Sequence, residues 1–209
     1  APGMKAREII RKGKLLNFRF EGGLSILSHL GMTGGWRLSE QPITEKHTHV
    51  HLEIKWKGGR HYLAYVDQRR FGEMAFVGEE EALRALARLG VDLASKEFTA
   101  DFVHTVIKKH PEKMLKPLLL EQKYFAGLGN YIASEICALA GIRPTRRCAK
   151  ITRAESERIK AASDAVIFKQ IEFQGLSFSG GYVDAFGNEG EGISNLVVFH
   201  QKVCGMCKV

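Results

Sequence analysis

The residues from Gln122 to Glu135 form a glycine-containing turn that feeds a helix, and they read Gln-Lys-Tyr-Phe-Ala-Gly-Leu-Gly-Asn-Tyr-Ile-Ala-Ser-Glu. Gly127 and Gly129 let the backbone come close to an anion, the start of the helix presents N–H groups and the positive end of the dipole, and Asn130 adds a side-chain donor. That set suits a DNA phosphate. Spacing alone leaves open an ordinary helix–turn–helix corner in which the glycines only relieve crowding. A second candidate group is Cys204 and Cys207, at the C-x-x-C spacing of metal-binding thiols. A structural zinc site needs four ligands, so this pair is half a site unless Cys148 or His200 completes it. Cys137 falls in a predicted helix and reads as a small buried apolar residue.

These groups must be held by two kinds of structure. Leu16, Phe18 and Phe20 alternate with polar partners, and Glu21-Gly22-Gly23 turns the chain into an apolar run that ends at Leu30, which predicts a β-hairpin. Val50, Leu52, Ile54 and Trp56 alternate with His49, His51, Glu53 and Lys55 before Gly58-Gly59 and the run from His61 to Val66, which predicts a second hairpin in a half-buried antiparallel sheet. After Val77 the period changes. Ala82, Leu83, Leu86 and Leu89 fall at helical spacing with Gly90 where a C-terminal cap would stand. Thr99 caps a helix running to Lys109, two further helical runs cover Leu115 to Leu120 and Tyr131 to Ala140, and Thr152 with Glu155 forms a capping box opening a helix to Ile171. The glycine-rich stretch from Gly175 to Gly192 reads as a mobile loop, followed by a short strand from Leu196 to Phe199.

Composition narrows the class. The chain has 209 residues, 44% of them hydrophobic, and 31 Lys and Arg against 23 Asp and Glu give a formal charge of +8. Disorder is not the expectation, and a polyanion is the natural partner, nucleic acid before an anionic membrane surface. No apolar run approaches the length of a membrane helix, no secretory signal opens the chain, and four cysteines so placed do not make a secreted disulfide framework. Composition by itself points to an intracellular protein.

Five segments, in order, resemble the formamidopyrimidine-DNA glycosylase and endonuclease VIII family: Arg11-Lys12-Gly13-Lys14-Leu15-Leu16, His29-Leu30-Gly31-Met32-Thr33-Gly34, Asp67-Gln68-Arg69-Arg70-Phe71-Gly72, the Asn130 turn, and Cys204-Gly205-Met206-Cys207. The resemblance implies an α+β chain. It comprises the remains of an N-terminal β-sandwich over 1–77, a connecting helix and linker over 78–98, a helix–two-turns–helix DNA-binding domain over 99–195, and the first half of a zinc finger over 196–209. It implies that Lys14, His29, Gly127, Gly129 and Asn130 hold the phosphates around a damaged nucleotide in duplex DNA. It further implies that Met32, Arg69 and Phe71 fill the gap left when that nucleotide is turned out of the stack, Phe71 as wedge, Met32 as filler and Arg69 as partner for the orphaned base. Taken singly, Lys14 and Arg69 read as surface charges, and His29, Met32 and Phe71 as residues in or near the core. Met32 on a loop apart from Arg69 and Phe71 resembles the formamidopyrimidine branch, which implies oxidised purines such as 8-oxoguanine and formamidopyrimidines. A cytoplasmic, bacterial-type, nucleoid-associated monomer is what the same resemblance implies.

The activity so implied is base-excision repair by a bifunctional glycosylase and apurinic-site lyase that needs no cofactor beyond a structural zinc. The chain departs from the family pattern in lacking the N-terminal Pro-Glu nucleophile, since Pro2 is amide-bonded and followed by glycine, so the expectation is a piece truncated at both ends and inactive by itself. It also carries Gln68 where proline is usual and Val198-Phe199-His200-Gln201 where a Val-Tyr-Gly-Arg-like run is usual. The alternative classes are a non-catalytic binder of damaged or abasic DNA and an RNA-binding protein sharing the helix–two-turns–helix.

Overall fold

The computed structural model describes residues 3–175 and 183–208. Seven strands come first: β1 (Ala6–Lys12), β2 (Leu15–Phe20), β3 (Leu24–His29), β4 (Gly35–Ser39), β5 (Thr48–Trp56), β6 (Gly59–Val66) and β7 (Glu73–Gly78). They form a four-stranded sheet ordered β1-β2-β3-β7 and a three-stranded sheet ordered β4-β6-β5. Alternation predicts the β2–β3 and β5–β6 hairpins within it, because every second residue of a strand faces the same way. Phe18 and Ile26 of the first sheet meet Trp36 and Tyr65 of the second in one buried cluster. The Phe18 and Trp36 rings lie 5.0 Å apart and the Trp36 and Tyr65 rings 5.4 Å apart. The Trp36 indole N–H donates to Ser28 Oγ at 3.2 Å, which satisfies two polar groups inside the apolar layer. Gly22 and Gly23, both at φ near +80°, make the tight turn between β2 and β3.

The later elements are α1 (Glu79–Ala87), the short parallel pair β8 (Val91–Asp92) and β9 (Phe125–Ala126), α2 (Ala100–Lys109), α3 (Leu115–Leu119), α4 (Asn130–Leu139) and α5 (Arg153–Glu172). Their starts follow the expected local chemistry. Thr99 accepts from the Phe102 N–H, and the Thr152 and Glu155 side chains each bond the other's backbone N–H, at 3.2 and 2.8 Å respectively. Fully buried Phe98, Ile107, Leu115, Leu118, Phe125, Leu128 and Ile136 form the helical core. Contacts divide the chain into one unit of Ala1–Arg11, Leu15–Ala82 and Gln170–Ser194, and another of Lys12–Lys14, Leu83–Lys169 and Asn195–Val209.

The expected helix forms as α1, with Ala82 and Leu86 on its buried face and Leu83, about 100° round from Ala82, half-exposed. Two expectations are corrected. Gly90 is no left-handed cap; its φ is not positive. A Cβ there would stand 2.2 Å from the Tyr124 carbonyl oxygen, so glycine is required by close backbone approach where the chain enters β8. Residues 196–199 form turns and not a strand, since the N–H groups of Val197, Val198 and Phe199 all donate to the Glu135 carboxylate. Of the expected 175–192 loop, residues 176–182 lie outside the described residues. Gly90→Ala is expected to lower stability by about 1–3 kcal/mol through overpacking, read as a lower thermal midpoint.

Candidate nucleic-acid interface

The glycine turn is closed by a side chain quoted in the motif but not singled out for a role. Gln122 donates its amide to the Leu120 and Leu128 carbonyls, at 3.0 and 2.7 Å, and its Oε1 accepts from the Gly127 N–H at 3.0 Å. Gly127 takes φ +100°, and Gly129 becomes the N-cap of α4 without any side-chain bond to the first turn. The start of α4 is thus left without a capping oxygen of its own, the condition for receiving an anion. Asn130 is exposed at the first helical position.

Lys14 belongs to the same unit. The hairpin between β1 and β2 turns at Gly13, with φ +59°, whose N–H donates to the Asp92 carboxylate. A Cβ on Gly13 would come within 2.9 Å of the Gly127 nitrogen, so the hairpin tip and the glycine turn press backbone to backbone. That contact brings the Lys14 ammonium to 3.3 Å from where a Gly129 Cβ would sit. Burial lowers its pKa, since a desolvated ammonium lacks part of its water shell. Lys14, Gly127, Gly129 and Asn130 therefore converge on one end of α4.

His29, Met32, Arg69 and Phe71 lie in the strand unit. His29 ends β3, and its Nδ1 accepts from the Gly31 N–H at 3.2 Å, which leaves Nε2–H as the ring's donor in the neutral form. Gly31 has φ +65°, and a Cβ there would stand 2.5 Å from the Phe71 carbonyl carbon and oxygen, so the 30–34 and 67–72 loops pack directly on each other. Met32 is 55% and Phe71 53% exposed, against the core alternative for both. The Arg69 guanidinium lies 4.6 Å from the Phe71 ring centroid, a cation–π pair at the surface.

What fixes these loops is Asp67, which is 1% exposed. Its carboxylate accepts from Thr33 Oγ1 at 2.6 Å, the Gly72 N–H at 2.7 Å and the Arg69 N–H at 3.2 Å. The Arg69 N–H also reaches Thr33 Oγ1. Burial acts to raise the Asp67 pKa, but hydrogen bonds from Thr33, Gly72, Arg69 and Arg70 outweigh it and hold the carboxyl below the usual range. One carboxylate thus ties the Met32 loop to the Arg69–Phe71 loop. Its position just ahead of two arginines does not reveal this, because Thr33 is 34 residues away in sequence.

Glu135 plays the corresponding part on α4. It is 1% exposed, and Oε2 accepts from Val197 while Oε1 accepts from Val198 and Phe199, at 2.6 to 2.9 Å. The Phe199 ring rests 5.9 Å from that of Tyr131. A sequence signal for Glu135 existed: three residues after Ile132 and four before Leu139, it shares their helix face, and a buried acid needs donors.

Cys204 and Cys207 follow directly. Backbone N–H groups of Cys207 and Met206, and the Cys207 side chain, bond the Cys204 sulfur and lower its pKa, which suits a metal-binding thiolate. Among the described residues, however, no group of three or more metal-ligating side chains gathers anywhere, so the pair fits half of a zinc site. Cys148 is buried in the helical core, as is Cys137, where burial pushes the thiol pKa up to about 11. Among the described residues, no helix is long and apolar enough to cross a membrane.

Two outcomes are expected. A carboxyl with a lowered folded pKa stabilises above its unfolded value, about 3.9, and that contribution is lost as pH falls through the folded pKa. Asp67→Asn should lower the melting temperature at neutral pH, with the difference from wild type narrowing below about pH 4. Glu135→Gln should speed hydrogen exchange at the Val197, Val198 and Phe199 amides by about tenfold or more, because charge-assisted bonds are roughly twice as strong as neutral ones.

Comparison with known proteins gives a consistent answer. Residues 1–74 match the formamidopyrimidine-DNA glycosylase N-terminal domain, and residues 89–180 match the formamidopyrimidine-DNA glycosylase H2TH domain. A formamidopyrimidine-DNA glycosylase of Desulfitobacterium hafniense is 36% identical over 97% of this chain and 75% of its own length. One from Yersinia pseudotuberculosis is 35% identical over 94% and 72%. The crystal structure of MutM (Fpg) from Thermus thermophilus superposes with a TM-score of 0.86 at 31% identity, covering 99% of this chain and 76% of that one. The Lactococcus lactis Fpg in complex with DNA containing an abasic site gives 0.84 at 28% identity, over 99% and 76%.

Proposed function

Because the chain belongs to the formamidopyrimidine-DNA glycosylase family, and is with it a DNA glycosylase and apurinic-site lyase of base-excision repair acting on damaged DNA, we propose a division of labour among its residues. Lys14, the Gly127–Gly129 turn and Asn130 hold a phosphate of the damaged strand, and His29 donates from Nε2–H to another. Neither contact reads a base, which is what an enzyme finding rare lesions in any sequence requires. Met32, Arg69 and Phe71 occupy the space of the extruded nucleotide: Phe71 wedges, Met32 fills and Arg69 bonds the base left opposite. The observation that carries this reading is the exposure of Met32 and Phe71 on loops locked by Asp67, since apolar groups held rigidly in water need a partner to cover them.

Met32 on a loop separate from Arg69 and Phe71 supports oxidised purines as the substrate class. A structural zinc would be held through Cys204 and Cys207, with no role in the reaction steps. A DNA-repair role also implies residence in the compartment that holds the DNA. Arg69→Ala with Phe71→Ala should abolish the preference for a duplex carrying an abasic-site analogue over the undamaged duplex, while binding to the undamaged duplex changes little. Titration of both duplexes by fluorescence anisotropy reads this; equal preference in mutant and wild type would overturn the assigned roles.

A further inference from the structure

The excess positive charge of the chain is concentrated in one place. Segments 108–116 and 143–150 together hold eight Lys and Arg against the single Glu112, nearly the whole formal charge of +8. The fold sets these segments side by side. Leu115 N–H donates to the Arg146 carbonyl at 2.9 Å, Lys116 N–H to Pro144 at 3.0 Å, Cys148 N–H to Lys113 at 2.9 Å and Ala149 N–H to Pro111 at 3.1 Å. The Arg147 guanidinium adds a bond to the Glu112 carbonyl at 2.8 Å. Buried Leu115 and Cys148 pin this plate to the core, while every residue from Arg143 to Arg147, and Lys150, is exposed.

The nearby acids do not neutralise it. Glu155 pairs with Arg146 and Arg158, Glu121 with Lys113 and Lys123, and Glu112 with His110. Among the described residues, no ion pair engages Lys109, Arg143, Arg147 or Lys150. Helix dipoles account for part of the cluster, because Lys108 and Lys109 end α2 and Arg158 donates to the Ala140 carbonyl past α4. They do not call for Arg143, Arg147 and Lys150 as well, and fixing like charges together opposes folding.

Residues 143–150 of the plate follow the C-terminal end of α4, a ten-residue helix that rises about 15 Å, while Lys116 at the plate's margin reaches Ser134 Oγ at 2.9 Å. A helix whose N-terminus points at one phosphate directs its other end away from that duplex. We propose that the plate is a second DNA-binding surface, which takes the phosphate backbone of another duplex segment while Asn130 and Lys14 hold the damaged strand. The partner follows from the proposed function, on which this inference rests: a protein that works on DNA meets DNA as its commonest polyanion. Such a surface lets an incoming duplex bind before the first one leaves, so the protein passes directly between segments.

The test follows dissociation of a labelled abasic-analogue duplex from the protein at rising concentrations of unlabelled undamaged duplex. Wild type should release its duplex severalfold faster as competitor rises. Arg143→Gln/Arg147→Gln/Lys150→Gln should show a rate independent of competitor, with the competitor-free rate and the abasic preference unchanged. Lys109→Gln/Lys150→Gln, which breaks none of the bonds that stitch the plate, should shift the same way, separating charge from folding. A wild-type rate indifferent to competitor would overturn the inference. So would a triple mutant whose affinity for the abasic duplex falls with duplex length, since the plate would then be gripping the flanks of the same molecule. Loss of abasic preference in the wild type itself would instead overturn the function on which the inference stands.

Discussion

A carboxylate taken out of water must be surrounded by donors, and this chain uses that requirement to organise its irregular segments. Asp67 collects Thr33 and the backbone N–H groups of Arg69 and Gly72, Asp92 takes the Gly13 N–H, and Glu135 takes three consecutive N–H groups of residues 197–199. Loops that would otherwise leave their N–H groups to solvent are thereby fixed to strands and helices. The glycines complete the arrangement at two points, Gly31 against Phe71 and Gly13 against Gly127, where any side chain would force the backbones apart.

Rigidity of this kind matters because the candidate contact residues are exposed. Met32 and Phe71 gain nothing from burial in the free protein, and a mobile loop would let them fold back onto apolar surface. Holding them in water is costly, so the Asp67 network uses stability from elsewhere in the sandwich to keep two apolar side chains presented to solvent, as the proposed role in a base stack would need. In the helical unit the same logic leaves the start of α4 without a cap while Gln122 supplies the order that a cap would have given.

Charge is distributed in a different pattern from shape. The glycine turn and its neighbours are modest in charge, with Lys14 the cation pressed against Gly129, whereas the stitched 108–116 and 143–150 segments are strongly basic. Close, directional contact with one phosphate needs backbone geometry; attraction of a polyanion from a distance needs net charge within a Debye length. The roles proposed for the two surfaces follow that division.

Much of this was legible in the sequence. Alternation located β2, β3, β5 and β6, capping residues located α2 and α5, and the ordered motifs pointed to the family and, through it, to the candidates Lys14, His29, Met32, Arg69, Phe71, Asn130, Cys204 and Cys207. These are local signals: a period, a cap or a spacing depends on residues within a turn or two. Gly90 and the 196–199 segment were misread because local pattern does not say which backbone will approach or which side chain will collect the N–H groups of a remote segment. Tertiary structure alone decided that Asp67 binds Thr33, that Glu135 gathers residues more than 60 positions away, and that two basic segments lie edge to edge. The physical reason is that donors find buried carboxylates, and like charges are forced together, only when the packing of a whole core fixes segments that are remote in the chain.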